Sequence, residues 1–302
     1  MKRTRADVVF DIFNYAIMVI VLIITIYPLY FTIIASFSDP TQVSLGNTTL
    51  WIKGFTIETY SSVFKNSEIW IGYRNTIFYT LFGTIFNLFL TIPTAYVLSK
   101  KTLPGRSAIS WYFLFTMYFG GGLVPSYLLV TGLHLDNTVF TIIILGGLSV
   151  YNMIVTRVYF QNSVPEELYE AAIIDGASDF RQFFTIALPL SAPIIAVMAL
   201  YYGVGRWNDY FTALIYLNDN DKMPLQIVLR RILIQNQSLS ASLTTEQQMM
   251  NEETKAYLER MKRVAEGMKY SLIWIASAPL LIAYPFVQKY FVKGVMIGSL
   301  KG

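Results

Sequence analysis

The sequence predicts an all-α membrane protein with six transmembrane helices and both termini on the cytoplasmic side. Three observations carry that prediction. Only 14% of the 302 residues are charged and 54% are hydrophobic, with mean hydropathy +0.48; soluble domains carry about 25% charged residues. The apolar residues gather into runs long enough for a helix to cross a bilayer, about 20 residues each. Basic residues cluster at the N-terminus and in a short turn between runs, which marks both as cytoplasmic.

Composition also excludes chemistry. The chain has no cysteine and a single histidine, His134, so disulfides, thiol catalysis and His-rich metal sites are all ruled out. No metal site and no catalytic residue is expected. The net charge of +4 reflects cytoplasmic loops rather than nucleic-acid binding. The first apolar run is too long for the core of a secretory signal and lacks a small-residue cleavage site.

In chain order, Lys2, Arg3 and Arg5 precede a first span at 12–36, with Pro28 as a possible kink. Residues 37–72 form an outer connector with turn residues. In it Leu50-Trp51-Ile52 and Phe55-Thr56-Ile57 suit the membrane interface. The second span, 73–99, contains Asn75, Asn87 and Pro93, and the basic turn 100–106 follows it inside. The third span, 108–131, is interrupted by Gly120-Gly121-Gly122, which reads as a helix break or packing notch before a binding site. The fourth span is 138–160. The fifth, 187–217, is long and has Pro189 and Pro193 at its inner end. Residues 216–269 are placed outside although they hold Arg230, Arg231, Arg260, Lys262 and Arg263; the two inner basic clusters decide the topology. Arg230 and Arg231 read as a solvated face. Within this segment 224–234 and 245–268 look like amphipathic helices, with Met250, Tyr257, Met261, Val264 and Met268 at helical spacing. The sixth span is 271–291. The domain reading is 1–71 for the first helix and outer connector, 72–292 for the main transmembrane domain, and 293–302 for a cytoplasmic tail.

The polar interruption at 163–176 organises the rest. Ser163-Val164-Pro165-Glu166 reads as a helix start, with Ser163 as cap, Glu166 at the capping-box position and Pro165 in the first turn. Asp175-Gly176 ends the helix, because glycine tolerates the left-handed conformation found there. The product is a short helix with small residues on one side, suited to close approach by a partner.

Glu170-Ala171-Ala172, three residues, Gly176, nine residues, then Ile186-x-Leu188-Pro189 resembles the EAA motif of ABC-importer permease subunits. The resemblance covers nearly the whole chain and looks most like sugar permeases of the maltose-permease type. The segments 119–127 and 207–211 are similar to the branch serving complex oligosaccharides and polysaccharides in Gram-positive bacteria. It implies a type I ABC importer permease fold with a coupling helix near 165–178, embedded as a multi-pass protein in the plasma membrane. Glu170, Ala171, Ala172, Asp175 and Gly176 would engage an ATPase subunit; the departure is Ile173-Ile174, two bulky residues that would either face the partner or turn back onto the protein. Gly294, Gly298 and Lys301 of the tail would form a second ATPase contact. Implied partners are a second, homologous permease, two copies of the nucleotide-binding ATPase, an extracellular sugar-binding lipoprotein and membrane lipid, with no nucleic acid. The chain itself binds no cofactor; ATP and Mg would sit on the ATPase subunits. The sequence agrees, since no glycine-rich loop leads into Lys-Ser or Lys-Thr.

A substrate pathway is expected at Tyr151 and Asn152 in the fourth span and at Tyr201, Tyr202, Trp207, Asn208, Asp209 and Tyr210 in the fifth. Aromatic rings cover the C–H face of a sugar and amides or carboxylates bond its hydroxyls. Arg206 and Asp209, three apart, are expected to pair on one helix face, and charge this deep in an apolar segment is functional by default. The plainer alternative is an interfacial aromatic belt with a packing ion pair. Other readings are a permease for another solute class or an ion-gradient carrier, which should show mid-span acidic residues or an inverted repeat. A membrane enzyme would need a catalytic constellation that the sequence does not display.

Overall fold

The computed structural model describes residues 4–246 and 252–299. Among them every regular element is helical. Met250 and Lys301 lie outside the described residues. The chain divides into two compact units, Met1–Ile69 with Leu229–Ala278, and Trp70–Val228 with Pro279–Gly302.

The first unit holds α1 (Arg5–Ser36), α2 (Pro40–Ser44) and α3 (Glu58–Phe64), with parts of α14 (Leu225–Glu246) and α15 (Glu252–Ser299). Thr4 and Asp7 close a capping box that starts α1. Pro28 stands inside α1 without ending it. The connector after α1 is tied back onto it: the Tyr27 and Tyr30 hydroxyls donate to the carbonyls of Thr49 (3.4 Å) and Leu50 (2.5 Å). Phe37 stacks between Phe55 and Tyr60. Two of the basic residues that strained the topology are paired, Arg231 with Glu68 at 3.5 Å and Arg260 with Glu58 at 3.1 Å. Residues 252–268 of the expected amphipathic stretch and the sixth span, expected as separate pieces, are joined in α15, while 245–246 end α14 and 247–251 lie outside the described residues. Gly267 and no proline stands near the junction, so nothing ends the helix there.

The second unit carries most of α4 (Ser67–Ser99), which begins several residues before the expected second span. The expected third span is two helices, α5 (Arg106–Tyr118) and α6 (Leu123–Gly132), bent by 108°. Gly122 makes that break with φ +86°, a conformation that side chains resist. The expected fourth span is also divided, into α7 (Val139–Ile144) and α8 (Val150–Ser163). The short α9 (Glu166–Ile174) and α10 (Asp179–Gln182) follow. A π-helical turn, Phe183–Ala187, then leads through α11 (Leu188–Leu190) into α12 (Ala192–Asn208) with a 78° bend. The expected fifth span stops at Asn208 and resumes as α13 (Phe211–Tyr216). Among the described residues, Asp7–Ser36 and Ser67–Ser99 are long and apolar enough to cross a membrane, and the two bent pairs pass the same test as broken spans.

The core behind α9 is apolar and dense. Ile92, Ala95, Tyr96 and Leu98 of α4 pack with Met153 and Phe160 of α8, and with Val164 and Ala187. Burying each large side chain there contributes about 2 kcal/mol.

Candidate functional sites: an exposed helical knob and a polar cavity

The knob is α9 with its terminal turn. Its start differs from the expectation. Ser163 closes α8, Pro165 is the N-cap residue, and no side chain caps the helix. Proline's missing N–H and fixed φ suit this boundary, so a hydroxyl cap is not required. The end follows the sequence reading. Gly176 has φ +72° and donates to the Ile173 carbonyl (3.0 Å), while Ala177 N–H reaches the Ala172 carbonyl (2.8 Å). That pair of bonds is a Schellman turn, which satisfies carbonyls otherwise left open.

No residue of α9 is buried. Glu170, Ala171, Asp175 and Gly176 are exposed and Ala172 is half-buried. Ile173 and Ile174 face outward, Ile174 at 86% exposure, so they do not turn back onto the protein's own helices. Phe180 adds a further exposed ring at 79%. A few hundred Å² of exposed apolar surface is what a partner would cover.

The inner side of the knob is anchored by Tyr169. Its ring lies 6.2 Å from that of Tyr96, which in turn meets Phe183 (4.9 Å) and Phe160 (5.6 Å). Lys100 Nζ stands 3.0 Å from the centre of the Tyr169 ring and 4.9 Å from that of Tyr96. Burial pushes the Tyr169 hydroxyl well above its ordinary pKa, so the ring stays neutral. Burial also lowers the Lys100 pKa, against the opposing pull of Asp179 and Glu166. Next to it, Lys101 and Glu166 form a solvent-exposed ion pair at 3.0 Å.

The second site is a cavity of about 390 Å³ lined by α4, the break between α7 and α8, α8 and α12. Asn87, Ser149, Asn152, Tyr201, Tyr202, Arg206, Asp209 and Thr212 give it a polar wall. Four of the expected pathway residues, Asn152, Tyr201, Tyr202 and Asp209, are brought together here. The other four are not among its lining residues. Tyr151 is exposed elsewhere on α8, and Trp207 is buried with its ring 6.4 Å from that of Tyr73. Asn208 donates to the Val204 carbonyl, and Tyr210 meets Phe211 edge-on.

The expected Arg206–Asp209 pair is replaced by a different arrangement. The helix stops at Asn208, and no direct ion pair closes between the two, although both line the cavity. Asp209 instead accepts from the Thr212 N–H at the start of α13 (3.1 Å). Arg206 donates through Nε to Asn87 Oδ1 (2.9 Å) and through its terminal nitrogens to the carbonyls of Ile142 (2.6 Å) and Ile143 (2.9 Å). Asn87 donates in turn to the carbonyls of Gly146 (2.8 Å) and Gly147 (2.7 Å). The Tyr202 hydroxyl accepts from Ser149 N–H and bonds Thr91. Breaking a helix inside a membrane segment leaves carbonyls with no water to receive them. Arg206 and Asn87 supply those partners, and Tyr202 accepts the Ser149 N–H at the start of α8. Two glycines make room. A Cβ on Gly83 would lie 2.9 Å from Arg206 Nε, and one on Gly147 would lie 2.7 Å from the Phe86 ring.

Asn87 was visible in the sequence only as a polar residue in the second span. An amide that is fully buried among apolar residues always has a partner, and that was the available signal. Of the proposed tail contacts, Gly294 and Gly298 fall inside the helical backbone of α15.

A chain of broken apolar helices with a protruding apolar knob defines a membrane subunit of a transport machine. Residues 69–297 match the family described as "Binding-protein-dependent transport system inner membrane component", and the chain belongs to that family. The fold is that of type I ABC importer permeases, and the protein is a membrane-embedded transport subunit rather than an enzyme. It is 38% identical to Protein LplC of Bacillus subtilis, over 100% of this chain and 98% of the relative. It is 34% identical to the polygalacturonan/rhamnogalacturonan transport system permease protein YtcP of the same organism, over 97% and 98% of the two chains. A chain in the crystal structure of a bacterial ABC transporter that imports the acidic polysaccharide alginate superposes with TM-score 0.82 at 31% identity, covering 96% of this chain and 99% of that one.

Proposed function

We propose that the protein is one of two permease subunits of an ATP-driven importer for oligosaccharides or polysaccharide fragments, delivered by an extracellular binding protein. The relatives named for saccharide transport support the cargo class. The observation that carries the mechanism is α9: an exposed, apolar, glycine-terminated knob on a chain without a phosphate-binding loop. Energy then arrives through a docked ATPase. Glu170, Ala171, Ala172, Asp175 and Gly176 form that contact, Ile173 and Ile174 give it apolar surface, and the tail from Gly294 through Gly298 to Lys301 provides a second.

Six crossings with both ends inside fit this reading, the third, fourth and fifth being broken helices. The partner permease is a homologue, the ATPase is present in two copies, and ATP and Mg are held there. Within the membrane the cavity holding Asn152, Tyr201, Tyr202 and Asp209 offers hydroxyl, amide and carboxylate groups to a sugar; Tyr151, Trp207, Asn208 and Tyr210 stand outside its lining. The wall already contains the half-buried Arg206 guanidinium, whose five N–H donors include two beyond its bonds to Asn87, Ile142 and Ile143.

The test is to replace Glu170 with Ala and Gly176 with Val and to measure ATPase co-purification and uptake. Loss of both is expected. Full assembly with normal uptake in both variants would remove the docking assignment.

A further inference from the structure

Between the knob and the membrane helices lies a contact that docking alone does not require. Lys100 is the first residue after α4, and Tyr169 lies in the middle of α9. The ammonium group sits at 3.0 Å over the Tyr169 ring and 4.9 Å from the centre of the Tyr96 ring. Tyr96 belongs to α4 and touches Phe183 in the π-helical turn that leads into α12. A single cation thus joins the end of a long spanning helix, the knob, and the root of the bent helix that lines the cavity.

We propose that Lys100 and Tyr169 form the joint through which movement of α9 is passed to α4 and α12. The inference rests on the reading of α9 as the docking helix. A half-buried cation held against aromatic faces is stronger than an exposed ion pair and less sensitive to salt. The neighbouring Lys101–Glu166 pair, with both side chains mostly in solvent, has neither property. The rest of α9 offers no other large side chain of this kind: its other large apolar residues, Leu168, Ile173 and Ile174, are exposed. Lys100 is a positioning residue; it touches neither cargo nor nucleotide.

The test uses the complete transporter with its ATPase and binding protein in liposomes, loaded with ATP and offered tritiated oligogalacturonides that the unaltered complex takes up. Uptake per ATP hydrolysed is the readout. In Lys100→Met and Tyr169→Leu the ATPase should remain bound and active while uptake per ATP falls about five- to tenfold, the factor such a contact is worth. Lys100→Arg and Tyr169→Phe should stay near the unaltered ratio, because guanidinium and phenyl groups preserve the contact. Lys101→Met serves as the solvated control and should change nothing.

Because the chain has no cysteine, Lys100→Cys with Tyr169→Cys gives two unique thiols. That double variant should be uncoupled, and a short bismaleimide joining the thiols should restore uptake. An unaltered ratio in Lys100→Met would overturn the proposal. So would a fall in Tyr169→Phe as large as in Tyr169→Leu, a cross-link that blocks rather than restores, or release of the ATPase from Lys100→Met. Failure of the docking reading shows separately, as full assembly and uptake in the Glu170 and Gly176 variants.

Discussion

Arg206 shows how a single side chain decides a local architecture. Its three bonded nitrogens reach one amide oxygen and two backbone carbonyls. Arg206→Leu leaves all three acceptors without a donor in an apolar setting. Thermal unfolding in detergent should report a loss of about 1–3 kcal/mol, the range for leaving buried acceptors without a donor. Asn87→Leu should cost about 1–3 kcal/mol, and the double variant should cost less than the sum, since the two residues share one network. Additive losses would show that Arg206 and Asn87 act separately. Gly176 is the opposite case. A Cβ there meets no atom within 4 Å, so the cost of Gly176→Ala is conformational alone, about 1–2 kcal/mol for a left-handed residue. Gly176 was legible from its spacing to Glu170, because the turn is encoded within a few residues. The partner of Arg206 was not. It lies 119 positions away in sequence, and helical spacing pointed to Asp209 instead.

At the scale of elements, the knob and the breaks fared differently. The sequence placed the knob helix near 165–178 and its end at Gly176; the helix runs Glu166–Ile174, and only its cap was misassigned. Polar composition and a glycine made it visible. The divided spans at 138–160 and 187–217 were hidden, since hydropathy measures how greasy a stretch is and not whether it is continuous. Gly146-Gly147 and Asn208-Asp209 mark the breaks, yet the groups that make them tolerable come from α4 and α12. The exposure of Ile174 leads to a prediction for α9 as a unit. Ile174→Asp should leave the permease's own stability within about 0.5 kcal/mol, as surface changes do, while the ATPase is lost on purification. A variant that unfolds, or that keeps the ATPase at full occupancy, would show that this face is not the contact.

For the whole molecule, composition alone settled that the chain lives in a membrane, and the EAA spacing pointed to a borrowed motor. Uptake into liposomes should therefore stop when ATP is withdrawn and continue when a protonophore collapses the proton gradient; the reverse pattern would identify a secondary carrier. Resistance to gradient collapse is the sharper measurement, because a carrier driven by ions shows the opposite response at once. The divided fourth span has one more outcome. Arg206 and Asn87 grip carbonyl oxygens at positions 142, 143, 146 and 147, and a carbonyl is the same whatever side chain its residue bears. The scaffold is thus indifferent to the lettering of much of the wall it supports. Randomised libraries at Leu145 and Asn152 should yield many well-assembled transporters with altered cargo preference, and a lineage of such proteins can be retuned to new diets without rebuilding its frame.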